Sequence, residues 1–95
     1  MDGVPVNPKD KEKLKQVTKN GLVAESLINY IENCERTGQF VHALLSNDLK
    51  ETVSRHDGRS NLRGLVKWLY NYAPSSCWGS EENVQNWLRR KKDNA

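Results

Sequence analysis

The sequence predicts an all-α protein, a compact bundle of about five short helices. Three observations favour this fold class. Apolar residues recur every three or four positions in successive stretches, which is the spacing of one helix face. Glycine, proline and asparagine separate these stretches, and no stretch alternates strictly enough to indicate a strand of useful length. A chain of 95 residues also has the length of a single small domain.

The predicted helices cover residues 9–19, 22–36, 39–55, 60–72 and 81–92. Asn7 is a suitable N-cap for the first helix, with Pro8 in the first turn, where the missing N–H of proline costs nothing. Gly21 ends this helix, because glycine readily adopts the left-handed conformation found at helix ends. Ser80 caps the last helix, whose first turn holds two glutamates where the helix dipole favours them.

The second and third helices each have a predicted core face. In the second helix this face is Val23, Ala24, Leu27, Ile28, Ile31 and Cys34, and in the third it is Val41, Leu44, Leu45, Leu49, Thr52 and Val53. Ser46, Asn47 and Asp48 lie in the middle of the third helix, although such residues favour helix caps over helix interiors. A kink or a break at these three residues is therefore an open alternative.

The fourth helix is the most apolar and is therefore predicted to lie at the centre of the bundle. Its core stripe is Leu62, Leu65, Val66, Leu69 and Ala73, widened by Trp68 and Tyr72. Gly64 lies within this helix, where it costs about 1 kcal/mol relative to alanine. The simplest explanation is the close approach of another helix, and a flat patch for a partner is the alternative.

Residues 73–79 connect the fourth helix to the last one. Pro74 ends the fourth helix, Trp78 can fold back over the core, and Gly79 permits a tight turn. We interpret this segment as a structural corner with Cys77 packed inside it. A binding site at the same residues is the alternative that the sequence leaves open.

The predicted domain organisation is a disordered lead-in over residues 1–8, a single helical domain over 9–92 and a disordered tail over 93–95. No apolar run approaches the roughly 20 residues that span a bilayer, so no membrane association is expected. The first fifteen residues are polar and rich in lysine, unlike a secretory signal. We therefore expect a cytoplasmic protein whose two cysteines are reduced.

The residues that could carry chemistry are dispersed along the chain. Cys34, His42, His56 and Cys77 do not form a pair with the spacing of metal ligands. Cys77 precedes a predicted helix N-terminus, which favours a thiolate, but no motif places a histidine beside it. We predict a protein that is not an enzyme, with no catalytic residue, no metal and no cofactor.

Basic residues form the candidate binding surface. The predicted binding residues are Arg55, Arg59, Arg63, Lys67, Arg89 and Arg90. The first four recur every four residues, and the last two belong to a basic cluster at the end of the final helix. They form either a solvated surface or an anion-binding one. A sequence-specific helix-turn-helix is disfavoured, because Arg59 and Gly64 occupy positions that this motif needs to be apolar.

One pattern in the second half of the chain resembles a known family. Its residues are Asn47-Asp48-Leu49, Arg55, Asp57, Asn61, Tyr70-Asn71, Pro74 and Cys77-Trp78-Gly79-Ser80, followed by Glu82, Val84 and Trp87. Over roughly residues 40–88 this pattern resembles a family of small helical phage and prophage proteins. The resemblance implies an origin in a phage or mobile element and action in the cytoplasm of the host cell. It implies no particular activity.

Two functions from different classes are compatible with the sequence. The first is a non-enzymatic interaction module that binds a host or phage protein stoichiometrically, for example as an inhibitor of host defence or regulation. The basic stripe and the acidic face formed by Glu25, Glu32 and Glu35 are its expected contact surfaces. The alternative is an accessory protein that binds nucleic acid weakly and without sequence preference, through Arg59, Arg63, Lys67 and the basic cluster. A monomer or a small homo-oligomer is expected in either case.

Overall fold

A computed structural model of the chain describes residues 3–56 and 61–93, the last three by their backbone. In these residues all regular structure is helical, which confirms the all-α prediction. The elements are α1 Pro8–Val17, α2 Gly21–Asn33, α3 Gln39–Leu45, α4 Leu49–Ser54, α5 Leu62–Tyr72, a 3₁₀ turn Ser75–Cys77, and α6 Glu81–Asp93. None of the described helices is long and apolar enough to cross a membrane. The predicted start of the fourth helix at residue 60 lies outside the described residues.

The third predicted helix is two helices, α3 and α4, separated by residues 46–48. Asn47 has a φ of 63°, in the left-handed region that asparagine tolerates better than most residues. Its N–H donates to the Leu44 carbonyl at 3.3 Å, and that of Asp48 donates to the Ala43 carbonyl at 2.9 Å, which together close α3 in a Schellman motif. Asp48 then caps α4, because its side chain accepts a hydrogen bond from the Glu51 N–H at 3.1 Å.

The break changes which side chains of this region face the core. Thr52 is buried as predicted, but Leu49 is 76% exposed and Val53 is 58% exposed. The prediction that both belong to the core was wrong, since it followed from extending the helical period of α3 through Asn47. The break gives α4 its own direction, and the face that carries Leu49 and Val53 points to solvent.

The core lies between α1, α2, α3, α5 and α6. Its largest fully buried side chains are Trp87, Tyr30, Leu14, Leu27, Ile31, Leu45, Leu65 and Leu69. Helix α2 buries five residues, whereas α5 buries only Leu65, Trp68 and Leu69. Val66 and Tyr72 of the predicted α5 stripe are exposed. Helix α2 is therefore more central than α5, which was predicted at the centre.

Helix α1 packs directly on α5. The Trp68 indole N–H donates to the Asp10 carbonyl at 2.8 Å, and the Asn61 N–H donates to the Val17 carbonyl at 3.2 Å. A Cβ atom added at Gly64 would lie 2.7 Å from the Cγ1 atom of Val17. This contact confirms the predicted close approach of another helix at Gly64.

Residues 3–6, within the predicted disordered lead-in, lie against the end of α2. The Gly3 N–H donates to the Glu32 carbonyl at 3.1 Å, and the Val4 N–H donates to the Ile31 carbonyl at 2.9 Å. These bonds satisfy carbonyl groups that a helix C-terminus leaves without partners. Val6 is buried, and its N–H donates to the Glu32 carboxylate at 2.8 Å. A Cβ atom at Gly3 would overlap the Ile31 carbonyl oxygen, so this approach requires glycine.

Candidate functional site

The cysteines are buried in the core, where catalysis is disfavoured. Burial raises the pKa of the Cys77 thiol to about 12, so this side chain is a neutral thiol at physiological pH. Cys34 is also buried and forms the left-handed C-cap of α2. Within residues 3–56 and 61–90, no group of three histidine, cysteine or acidic side chains is arranged to hold a metal ion.

Tyr30 of α2 forms hydrogen bonds with both the connector, residues 73–79, and α6. Its hydroxyl donates to the Cys77 carbonyl at 2.6 Å, and its own carbonyl accepts a hydrogen bond from the Trp87 indole at 2.8 Å. The rings of Tyr30 and Trp87 also pack together, with centroids 6.4 Å apart. These contacts are buried and internal, so both aromatic residues are structural.

The connector after Pro74 also uses its polar groups internally. The Gly79 N–H donates to the Leu45 carbonyl at 2.7 Å, and Gly79 has a φ of 105°, which favours glycine over any other residue. The Asn83 side chain donates to the Trp78 carbonyl at 3.0 Å, while the Ser80 hydroxyl caps α6. Trp78 is half-buried against the core. These contacts favour the interpretation of the segment as a structural corner.

The predicted basic residues do not form one surface in the described part of the chain. Arg63 and Lys67 are exposed on the outer side of α5, whereas Arg55 lies at the end of α4, where its Nε atom is 3.3 Å from the Glu51 carboxylate. Arg59 lies outside the described residues. The basic stripe of the sequence therefore divides between two helices that contact different neighbours.

The remaining predicted residues lie near the end of α6. Arg89 is exposed and donates to the side chain of Asn86 at 3.3 Å. The Arg90 guanidinium lies over the Trp87 ring, 4.2 Å from its centroid, which is a cation–π contact. Arg90 therefore covers a core tryptophan, in addition to any role at the surface.

The outer side of α5 carries an aromatic residue that we did not assign from the sequence. Tyr70 is 80% exposed, and it follows Arg63 and Lys67 by seven and three residues, so the three share one side of the helix. Trp68 faces inward, as expected. The spacing of Tyr70 was visible in the sequence, but only the buried positions of α5 show which side of the helix is free.

An open cleft of about 710 Å³ lies between α3, α4 and the start of α6. It is lined by Gln39, His42, Ala43, Ser46, Asn47, Asp48, Leu49, Glu51, Arg55 and Glu81. Only Arg55 was among the predicted binding residues. The cleft exists because the break after α3 turns α4 away, and the Gly79–Leu45 bond brings the start of α6 beside α3.

Carboxylates outnumber cations in this cleft. The His42 Nε2 atom lies 2.9 Å from the Glu81 carboxylate, and Arg55 pairs with Glu51. The third carboxylate is that of Asp48, which accepts the capping hydrogen bond from the Glu51 N–H. All three carboxylates belong to exposed residues, so they present negative charge to solvent.

Leu49 adds apolar surface to the polar cleft. It belongs to the cleft lining, and Val53 lies one turn further along the exposed side of α4. Exposed aliphatic side chains beside charged groups are typical of protein interfaces, which combine an apolar centre with a polar rim. The sequence did not suggest this arrangement, because both residues fitted the predicted core.

Comparison with protein-family models, with curated proteins and with solved structures gives no match to this chain. The cleft and the outer side of α5 are therefore the observations that bear on its function. They lie on different helices and offer opposite charge, so they suit different ligands.

Proposed function

We propose that this chain is a non-enzymatic protein-binding module whose cleft between α3, α4 and α6 receives a segment of a partner protein. The segment combines a lysine or arginine with a neighbouring large apolar side chain. The observation that carries this proposal is Leu49, which is 76% exposed within a cleft whose charged groups are mostly carboxylates.

Charge favours a basic partner at this site. Asp48, Glu51 and Glu81 face a cleft in which Arg55 is the one guanidinium among the lining residues. Because Arg55 contacts Glu51 and His42 contacts Glu81, an entering cation joins existing contacts and is attracted by the combined charge of the three carboxylates. These groups are exposed, so their main effects are on partner orientation and association rate.

Apolar contact supplies the larger part of the affinity in this proposal. Burying a leucine or valine side chain fully is worth about 1.5–3 kcal/mol, and Leu49 and Val53 leave most of that gain unused in the free protein. A partner side chain that packs between Leu49 and Val53 would bury part of their surface and so gain part of this free energy. The charged groups around them would then form the polar rim of the interface.

The hydroxyl and imidazole groups of the cleft support binding over catalysis. The Ser46 hydroxyl donates to the Ala43 carbonyl at 3.3 Å, and the His42 Nε2 atom is engaged with Glu81. A nucleophile needs a base within hydrogen-bond reach, and neither contact provides one. This arrangement supports a stoichiometric role for the protein.

The resemblance to phage and prophage proteins directs the proposal towards a partner in the cytoplasm of a host cell. Three residues that carry it, Asn47, Asp48 and Leu49, line the cleft. We therefore propose a host or phage protein as the partner, with inhibition of host defence or regulation as one outcome of binding.

Selection from a library of short random peptides tests the chemistry of the site. Peptides that bind the wild-type protein should be enriched in lysine or arginine next to leucine, isoleucine or phenylalanine. Their affinity, measured by titration calorimetry, should fall about tenfold or more in Leu49→Asp and in Glu81→Lys, since each change removes about 1.4 kcal/mol or more of binding free energy.

Leu22→Asp is the matched control, because Leu22 is 77% exposed at the start of α2 and outside the cleft. This variant should bind the selected peptides like the wild type. Enrichment of acidic peptides, or full affinity retained by Leu49→Asp, would contradict the proposal.

A further inference from the structure

Helix α5 has a sharply two-sided surface. Leu65, Trp68 and Leu69 are buried, whereas the opposite side presents Arg63 and Lys67 to solvent. Tyr70 lies on the same side of the helix, about one turn beyond Lys67 and two turns beyond Arg63. At 80% it is the most exposed large apolar side chain among the described residues. We call Arg63, Lys67 and Tyr70 the outer face of α5.

No negative charge neutralises this face within the helix itself. The sequence of α5 contains no aspartate or glutamate, and among the described residues neither Arg63 nor Lys67 has a carboxylate within ion-pair distance. Lys13 of the neighbouring helix α1 donates to the Tyr72 hydroxyl at 2.9 Å, on the other side of α5 from Tyr70. The charge on the side of Tyr70 is therefore that of Arg63 and Lys67.

We propose that the outer face of α5 binds single-stranded nucleic acid. The Tyr70 ring stacks on an unpaired base, while Lys67 and Arg63, about one and two turns before it on the same side of the helix, contact successive phosphates on one side of that base. This combination of an exposed ring and cations along one track is how sequence-tolerant single-strand binding is built. The face is separate from the cleft and concerns a different ligand.

A single strand fits this face better than a duplex. In a duplex the bases are paired and stacked on one another, so the Tyr70 ring would meet only backbone and would gain nothing from stacking. A single strand offers the π-face of every base. An acidic protein is the other ligand of suitable charge, but it would draw mainly on Arg63 and Lys67 and would depend little on the ring.

The expected affinity is low. Two cationic side chains and a net charge of +3 provide a limited attraction, so the dissociation constant near physiological salt should be no tighter than about 10⁻⁵ M. Fluorescence anisotropy with a labelled single-stranded oligonucleotide, across a salt series that includes low salt, measures it. Contact with two phosphates predicts a slope of log K against log salt of about −1.4.

Substitutions at Tyr70 separate stacking from charge. Tyr70→Ala should weaken single-strand binding about 5- to 100-fold at low salt, while Tyr70→Phe, which keeps the ring, should bind like the wild type. Arg63→Glu should weaken binding and make the salt slope shallower. Lys50→Glu reverses an exposed charge on α4 and controls for total charge, and it should have a much smaller effect than Arg63→Glu. A thermal melt verifies that each variant is folded.

Three results would overturn this inference: no detectable binding at low salt, duplex binding as tight as single-strand binding, or full binding by Tyr70→Ala. Competition by poly-glutamate that is equally effective against the wild type and Tyr70→Ala would instead assign the face to an acidic protein. Leu49→Asp should leave oligonucleotide binding unchanged, so failure at α5 is distinguishable from failure at the cleft.

Discussion

The corner after α5 and the short helix α4 differ in which side chains they bury. The corner buries aromatic and cysteine residues, whereas α4 exposes aliphatic ones. Around the corner, Cys77 and Trp87 are buried, and Tyr30 joins them by two hydrogen bonds. Helix α4 buries only Thr52 and exposes Leu49 and Val53. The residues that suggested chemistry are structural, and the aliphatic residues that suggested a core are on the surface.

This contrast shows that residue type is a weaker guide to function here than the exposure of a side chain and the hydrogen-bond partners of its polar atoms. Tryptophan, cysteine and serine attract attention in a sequence, yet the Ser80 hydroxyl, the Trp78 and Cys77 carbonyls and the Trp87 indole all have internal partners. In α4 the helix is too short to bury a full apolar stripe, so part of the stripe becomes available to a partner. Exposed apolar side chains are informative because they cost solubility without adding stability.

The largest expected effect is at the corner. Trp87→Ala should destabilise the protein by about 3–5 kcal/mol, because it removes a large buried ring and the hydrogen bond to the Tyr30 carbonyl. For a domain of 95 residues this is a substantial part of the total stability. Urea denaturation followed by circular dichroism measures the loss. Stability equal to that of the wild type would show that α6 is not anchored through Trp87.

Removing one atom at the same junction should have a smaller effect. Tyr30→Phe keeps the ring but leaves the Cys77 carbonyl without its hydroxyl donor, at a cost of about 1–3 kcal/mol. Tyr72→Phe is the matched control, since that hydroxyl forms an exposed bond with Lys13 and should contribute less than about 0.5 kcal/mol. Equal effects of the two substitutions, measured by urea denaturation, would contradict the buried bond.

Alkaline pH should weaken the corner. Burial raises the pKa of Cys77 from 9.0 to about 12, so between these values the unfolded chain loses a proton that the folded chain keeps. The contribution of this thiol to stability is therefore complete below pH 9 and is lost above it, by at most about 1.4 kcal/mol per pH unit. Burial also raises the pKa of Tyr30, which adds to the loss at higher pH.

Denaturation at pH 8, 9, 10 and 11 measures this dependence, and Cys77→Ala is the informative variant. Its stability should fall less steeply than that of the wild type from pH 9 upwards. Parallel pH profiles for the two proteins would show that the Cys77 thiol titrates normally in the folded state.

Much of the fold could be predicted from local signals. Asn7, Ser80 and Pro74 mark helix ends where the structure has them, and Gly64 indicated the contact with Val17. The packing of residues 3–6 on α2 could not be predicted, because it depends on hydrogen bonds to residues almost thirty positions away. Local patterns identify helices, and contacts distant in sequence decide where the helices end.

The candidate site was less predictable than the fold. Arg55, Arg63 and Lys67 are at the surface, but their common period did not bring them to one surface, since Arg55 follows α4, which packs on α3, whereas the other two belong to α5, which packs on α1. The cleft depends on the left-handed conformation of Asn47 and on the Gly79–Leu45 hydrogen bond. Neither this conformation nor this hydrogen bond produces a sequence pattern that distinguishes a break in the helix from a kink.

The substitution with the smallest expected effect on stability, Leu49→Ala, tests the break between α3 and α4. Leu45 and Leu49 are one helical turn apart in sequence, yet Leu45 is fully buried and Leu49 is largely exposed. Leu45→Ala should therefore cost about 2–5 kcal/mol, whereas Leu49→Ala should change stability by less than about 0.5 kcal/mol. If residues 39–55 formed one continuous helix, both leucines would face the core and both substitutions would be costly. Thermal melts of the two variants distinguish these cases. A near-neutral Leu49→Ala that also weakens binding of the selected peptides would assign this leucine to the interface.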